Sequence, residues 1–243
     1  MTFGPFSLAT ANALVFTLTL IPLVAALGHI SGAHVNPAVT LAMMVVREIP
    51  LLKGVLYIIA QFLGGIGGSL AVYGILGDSG YEAGLGRNTA VTSIGDGEAL
   101  FAELIVTAFF VFVIVATAVD KQYKLDFKTQ ANAPLAIGAA LGAGHFALTW
   151  ITGASMNPAR SLGPWLVSED FTRAWWAILI GPFLGGLIGA LSYVIIFFDT
   201  RGEDELIDVY GSKNEDRDST KTVIAGRAVE FYSTYSSDSY YDF

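Results

Sequence analysis

Ser31-Gly32-Ala33-His34-Val35-Asn36-Pro37-Ala38-Val39 and Gly153-Ala154-Ser155-Met156-Asn157-Pro158-Ala159-Arg160-Ser161 are two versions of one device. In each, an Asn-Pro-Ala box follows a long apolar run and opens a short apolar segment. Asn is a strong N-cap, and Pro suits the first helical position because its missing N–H would be unpaired there anyway. Both boxes therefore read as helix starts. The surrounding chain is apolar enough to span membranes, so each helix is expected to begin inside the bilayer, where an interrupted backbone marks a functional feature.

The 243 residues are 53% hydrophobic and only 14% charged, with a mean hydropathy of +0.59, which excludes a disordered chain and argues against an ordinary soluble domain. No basic stretch precedes the first apolar run, Ser7–Leu27, and no clear small-residue cleavage site follows it. That run reads as a span and not as a signal peptide. Cysteine is absent, which rules out disulfides and thiol chemistry. No nucleophile–base pairing or metal-ligand spacing supports an enzyme, and no cofactor, metal or nucleic-acid partner is expected.

From Met1 to Val46 there is no Lys, Arg, Asp or Glu, so Ser7–Leu27 supplies the roughly 20 apolar residues of a bilayer-crossing helix, with a kink expected at Pro22. The first box then opens a half-helix from Pro37 to about Val46. After Arg47, Glu48 and Lys53, residues 54–77 form a second span containing Gly64-x-x-x-Gly68, the spacing that lets helices approach closely. Residues 78–97 read as a connecting loop. A third span runs from Glu98 to Val119 with Glu103 in its first turns, a fourth from Pro134 to Ile151, and the second half-helix from Pro158 to near Val167. Residues 174–198 make a fifth span with a Gly181, Gly185, Gly189 packing face.

Lys121, Lys124 and Lys128 crowd the loop after the third span, which places that loop in the cytoplasm by the positive-inside rule. The first half-helix then enters from the cytoplasm and the second from outside, as in an inverted repeat. The net charge of −8 comes mostly from the chain beyond Asp199, an acidic stretch expected to be a disordered cytoplasmic tail over 199–243. Residues 1–198 form the membrane domain. The second copy reads as span, span, half-helix, span, and the first only as span, half-helix, span. A partner of Glu98–Val119 is thus expected to be missing ahead of Met1, through truncation in preference to a five-span form in its own right.

The paired boxes in this context resemble those of the aquaporins, the major intrinsic protein family, over everything up to Phe198. The resemblance implies an all-α membrane protein with an inverted repeat. Here that means five visible spans plus two re-entrant half-helices, the family's first span being absent. It also implies a homotetramer in the lipid bilayer, with the plasma membrane the expected location and water the permeant of each pore. Asn36, Pro37, Ala38, Asn157, Pro158 and Ala159 would form the pore centre, where two helix N-termini and two amides turn each passing water. The irregular stretches 28–35 and 152–156 would line the file with backbone carbonyls.

Carried over position by position, Phe16, His145, Ala154 and Arg160 resemble the family's selectivity filter, and Arg160 and His145 stand out as polar groups in apolar surroundings. Glu103 resembles a buried glutamate that braces a box loop; His34 would line the cytoplasmic mouth or support its loop, and His29 would be structural. Ser161 after Arg160, together with His145, favours water over glycerol. Trp165, Ile178 and Leu179 depart from the water-selective pattern. The function expected is passive water conduction that excludes protons and ions. The alternatives are a facilitator for glycerol or another small neutral solute, a truncated non-conducting assembly or regulatory subunit, and, less favoured by the positive pore centre, an ion-conducting relative.

Overall fold

The computed structural model describes residues 5–120 and 132–198. The lysine loop and the acidic stretch after Phe198, from which topology and tail were read, lie outside the described residues. Among the described residues, seven α-helices follow in order: α1 (Pro5–Ser31), α2 (Pro37–Val45), α3 (Leu51–Glu82), α4 (Asp96–Ile114), α5 (Ala133–Leu148), α6 (Pro158–Val167) and α7 (Trp175–Tyr193). One π-helical turn extends α4 over Val115–Val119, and another extends α7 over Val194–Phe198. Every long element is a helix because a chain in hydrocarbon must pair its backbone within each segment.

Four of these helices are long and apolar enough to cross a membrane, at 9–31, 51–82, 96–119 and 175–197. The fourth expected span is shorter than 134–151: α5 has 16 residues, because Leu148 O already accepts from the turn at Ile151 and Thr152. The loop expected from residue 78 begins later. Helix α3 continues to Glu82 across a break at Gly77, whose φ of 59° and ψ of −147° suit only glycine well. Residues 28–31, expected to be irregular, belong to α1, which also runs unbroken through Pro22.

The half-helices place the rest. Helix α2 packs on α7 while α6 packs on α3, and α1 lies along α5 across the axis that exchanges the two copies. Helix α4 lies along α7 and also touches α5. Val39, Met43, Phe110, Ile137 and Tyr193 share one core, and Ala99, Trp165, Ala177 and Ile178 a second. Outward-facing Leu14, Leu18, Leu56, Leu63 and Ile75 are exposed, as lipid-facing positions of a span must be.

Glycines set how closely these helices meet. A Cβ at Gly185 or Gly189 would collide with the Leu104 or Ala108 carbonyl of α4, so the expected packing face of α7 is in use. In α3 the close approach is made by Gly65, against Ala159 O of α6, whereas Gly64 and Gly68 have nothing within 4 Å. The spacing alone could not say which glycine of a run faces a neighbour. Gly189→Leu should lower unfolding stability by about 1–3 kcal/mol through overpacking, while Gly68→Ala should change it by less than about 1 kcal/mol. Denaturant titration of the detergent-solubilised chain, read by circular dichroism, separates the two.

Candidate functional site

Both boxes form the same latch. Asn36 Oδ1 accepts from its own Ala38 N at 2.9 Å, and its Nδ2 donates across the axis to Met156 O at 2.8 Å. Asn157 Oδ1 accepts from Ala159 N and Arg160 N at 3.0 and 3.3 Å, and its Nδ2 donates to Val35 O at 3.0 Å. Each side chain caps its own helix and ties down the loop of the other. One amide hydrogen of each Asn is spent on the latch, and each keeps a second. Pro37, Ala38, Pro158 and Ala159 are buried behind them.

The approach loops also match. Gly32, Ala33 and Val35 hold φ of 78°, 47° and 41°; Gly153, Ala154 and Met156 hold 77°, 55° and 51°. Left-handed backbone at Ala, Val and Met is costly, about 1–3 kcal/mol each in strained cases, and persists only where the surroundings enforce it. In the second loop the enforcer is Glu103. This fully buried carboxylate accepts from Ser155 N at 2.8 Å, from Met156 N at 2.9 Å and from the Thr152 hydroxyl. These three bonds tie the loop before the second box to α4.

Phe16, His145 and Arg160 come from α1, α5 and α6 and meet. The Phe16 and His145 rings stack with centroids 3.8 Å apart, and the Arg160 guanidinium carbon lies 5.4 Å from the Phe16 ring centre. His145 Nδ1 lies 3.0 Å from Leu141 O, an acceptor, so the proton sits on Nδ1 and leaves Nε2 as an acceptor in the neutral ring. That Nε2 and Arg160 Nε are buried without a hydrogen-bond partner among the described residues. Arg160 is held by one NH1 bond to Gly86 O at 2.8 Å. Ala154 is fully buried in the loop before the second box, its N–H donating to the Thr152 hydroxyl.

His34 sits between the two cavities of this region. One, of about 740 Å³, is lined by Leu20, Val24, His29, Met43 and Ile137 besides His34. His29 thus faces this space. His34 Nδ1 lies 3.2 Å from the Thr40 hydroxyl, which also bonds Gln61, and its ring meets Tyr57 edge-on at 5.7 Å.

Sequence reasoning missed Asn88. Fully buried, it donates from Nδ2 to Thr152 O, accepts from the Ser161 hydroxyl on Oδ1, and accepts from Trp165 Nε1 and the Thr172 hydroxyl on its carbonyl. Of the three departures from the water-selective pattern, Trp165 and Ile178 are fully buried in one cluster, Trp165 donating from Nε1 to Asn88 O, and Leu179 is partly buried against it. An isolated Asn in a Gly-rich loop carries no periodic signal, and only its partners reveal it. Asn88→Ala should lower unfolding stability by about 1–3 kcal/mol, and Glu103→Gln by a similar amount, since an amide cannot accept from three donors as a carboxylate does. Denaturant midpoints of the two variants against the parent chain test both.

Comparison with known proteins agrees with this geometry. The family model described as Major intrinsic protein matches residues 6–193. The lens fiber major intrinsic protein of Lithobates pipiens is 37% identical over 81% of this chain and 73% of its own length, and that of Homo sapiens 34% over 90% and 81%. In structure the chain resembles the aquaglyceroporin from Plasmodium falciparum, with a TM-score of 0.64 over 86% of this chain and 87% of the other, at 23% identity. These matches do not bear out the expectation that the family's first helix is missing. A family match over residues 6–193, the duplicated boxes and the multi-pass apolar helices lead to one conclusion: this chain belongs to the major intrinsic protein family, whose members are membrane channels and not enzymes.

Proposed function

We propose that the chain is a passive water channel, with Phe16, His145, Ala154 and Arg160 as its selectivity filter and the two boxes as its pore centre. The observation that carries this reading is the convergence of Phe16, His145 and Arg160 with two unpartnered nitrogens, His145 Nε2 and Arg160 Nε. A stacked aromatic pair narrows the passage to small solutes, and the free nitrogens replace hydrogen bonds that water gives up on entry. At the boxes, the N-termini of α2 and α6 place partial positive charge on the path and disfavour cations. The remaining amide hydrogens of Asn36 and Asn157 hold a water by its oxygen, so it cannot accept a proton from its neighbour. The proton wire breaks there.

In this reading residues 1–198 are the channel and 199–243 a cytoplasmic tail, with four subunits assembling in the plasma membrane. A second reading, a non-conducting assembly subunit, draws on one observation: a cavity of about 560 Å³ beside α3 reaches Asn157 and Arg160 from the side. Stopped-flow shrinkage of proteoliposomes separates the two readings. Under a sucrose gradient the parent chain should pass water well above empty liposomes and admit little glycerol. The His145→Ala, Arg160→Val double variant should admit glycerol about tenfold faster, which corresponds to about 1.4 kcal/mol off the barrier. Flux equal to that of empty liposomes, with insertion verified, would leave the assembly reading.

A further inference from the structure

Among the described residues the Arg160 guanidinium is held by one hydrogen bond, from NH1 to Gly86 O at 2.8 Å. Whatever fixes that carbonyl therefore fixes the charge. Gly86 contributes little itself: its φ is 77°, and nothing lies within 4 Å of where a Cβ would stand, so no neighbour packs against that side of it. The residues on either side do more. Leu85 N donates to Gly80 O at 3.0 Å, and its side chain is buried in spite of a φ of 52°. On the other side the Gly86 carbonyl shares a peptide plane with Arg87 N, which donates to Gly84 O at 2.8 Å. The loop between α3 and α4 thus presents this carbonyl from a tight turn that ends at Arg87.

Arg87 in turn is tied across to the loop between α6 and α7, its NH2 lying 2.9 Å from Asp170 Oδ2. The guanidinium runs back over Gly84, where a Cβ would lie 3.0 Å from it at a φ of 81°, so glycine meets both demands of the turn. Asp170 N donates to Trp165 O in α6, the helix that carries Arg160. A ring closes: Arg160, the Gly86 carbonyl, Arg87, Asp170, and α6 back to Arg160. The two side chains of the ion pair are 29% and 48% exposed, and a pair so exposed adds little to folding stability. Within the ring its effect falls on the one peptide that holds Arg160.

We infer that Arg87 and Asp170 are positioning residues for the filter: their ion pair keeps the Gly86 carbonyl where it accepts from Arg160, and so draws the guanidinium to the side of the passage. The inference rests on Arg160 being a filter group. With the pair open, the guanidinium loses its acceptor and bonds permeating water in its place, which holds the water longer and slows the file. An exposed ion pair shifts such an equilibrium by a factor of a few, and salt weakens it.

Two measurements on the full chain in liposomes test this. The first needs no conduction: modification of Arg160 by 2,3-butanedione, a small guanidine reagent, counted by mass spectrometry. Arg87→Gln and Asp170→Asn should each raise the rate at Arg160 about threefold, and the charge exchange Arg87→Asp with Asp170→Arg should bring it back towards the parent value. The second is osmotic water flux, which should fall about threefold in each single variant and recover in the exchange. Salt at about 0.5 M should lower the parent's flux and leave the single variants unmoved. Asp96→Asn, which removes an exposed carboxylate from Trp176 Nε1 instead, should leave both readouts at the parent's values. A loosened fold would not be repaired by exchanging the charges. Unchanged Arg160 reactivity in the single variants, or an exchange that fails to restore it, would overturn the inference. The expected reactivity pattern in a parent chain that passes no water would uphold the positioning role and overturn the water-channel reading instead.

Discussion

A backbone that stops being helical inside a membrane must find hydrogen-bond partners without water, and that constraint organises this molecule. Two helices begin between the spans, at Pro37 and Pro158, and two strained loops lead to them. Some of their polar groups are satisfied by one another, and others on the second loop by Glu103. Asn36 and Asn157 each cap one helix and hold the carbonyl before the other, so neither loop is placed without its twin. Their reciprocity brings the two positive helix ends face to face, an arrangement no single copy could hold.

Close approach makes the latch possible. Gly65 and Gly186 bring α3 and α7 onto the Ala159 and Ala38 carbonyls, and a side chain at either glycine would push a half-helix off the axis. The Asn-Pro-Ala box is thus a packing motif as well as a cap: alanine at its third position leaves room for the long helix that supports it. On the second copy the support extends outward through Glu103, Asn88, Ser161 and Trp165. The first copy has Thr40 with Gln61 and His34 in place of that network, and fewer of its polar groups are buried. Two loops of equal backbone geometry therefore sit in unequal surroundings.

Much of the fold was legible because membrane helices announce themselves by length and apolarity. Ser7–Leu27, Glu98–Val119 and residues 174–198 fall within a few residues of α1, α4 and α7 with their π-turn extensions. The half-helices were legible for another reason: Asn then Pro is a cap signal that does not depend on environment. The failures are equally physical. Gly77 permits α3 to bend and continue, so the polar residues after it looked like a loop although Asp78–Glu82 stay helical. The glycine spacing of residues 64–68 marked a helix able to pack closely, but direction around a helix is set by its neighbours.

The sequence by itself determined the class of molecule, the two capped half-helices and their relation by an internal repeat, since these depend on local propensity and hydropathy. It also pointed, through resemblance, to Phe16, His145, Arg160 and Glu103. Only the tertiary structure decided that Phe16, His145 and Arg160 of α1, α5 and α6 meet, that Glu103 of α4 bonds the loop before the second box, that Asn88 joins four segments, and that Gly65 and not Gly64 faces a half-helix. Each of those facts is a contact between residues far apart in the chain. Such contacts depend on which backbones can approach and which donors remain unpaired, and neither is written in any one stretch of residues.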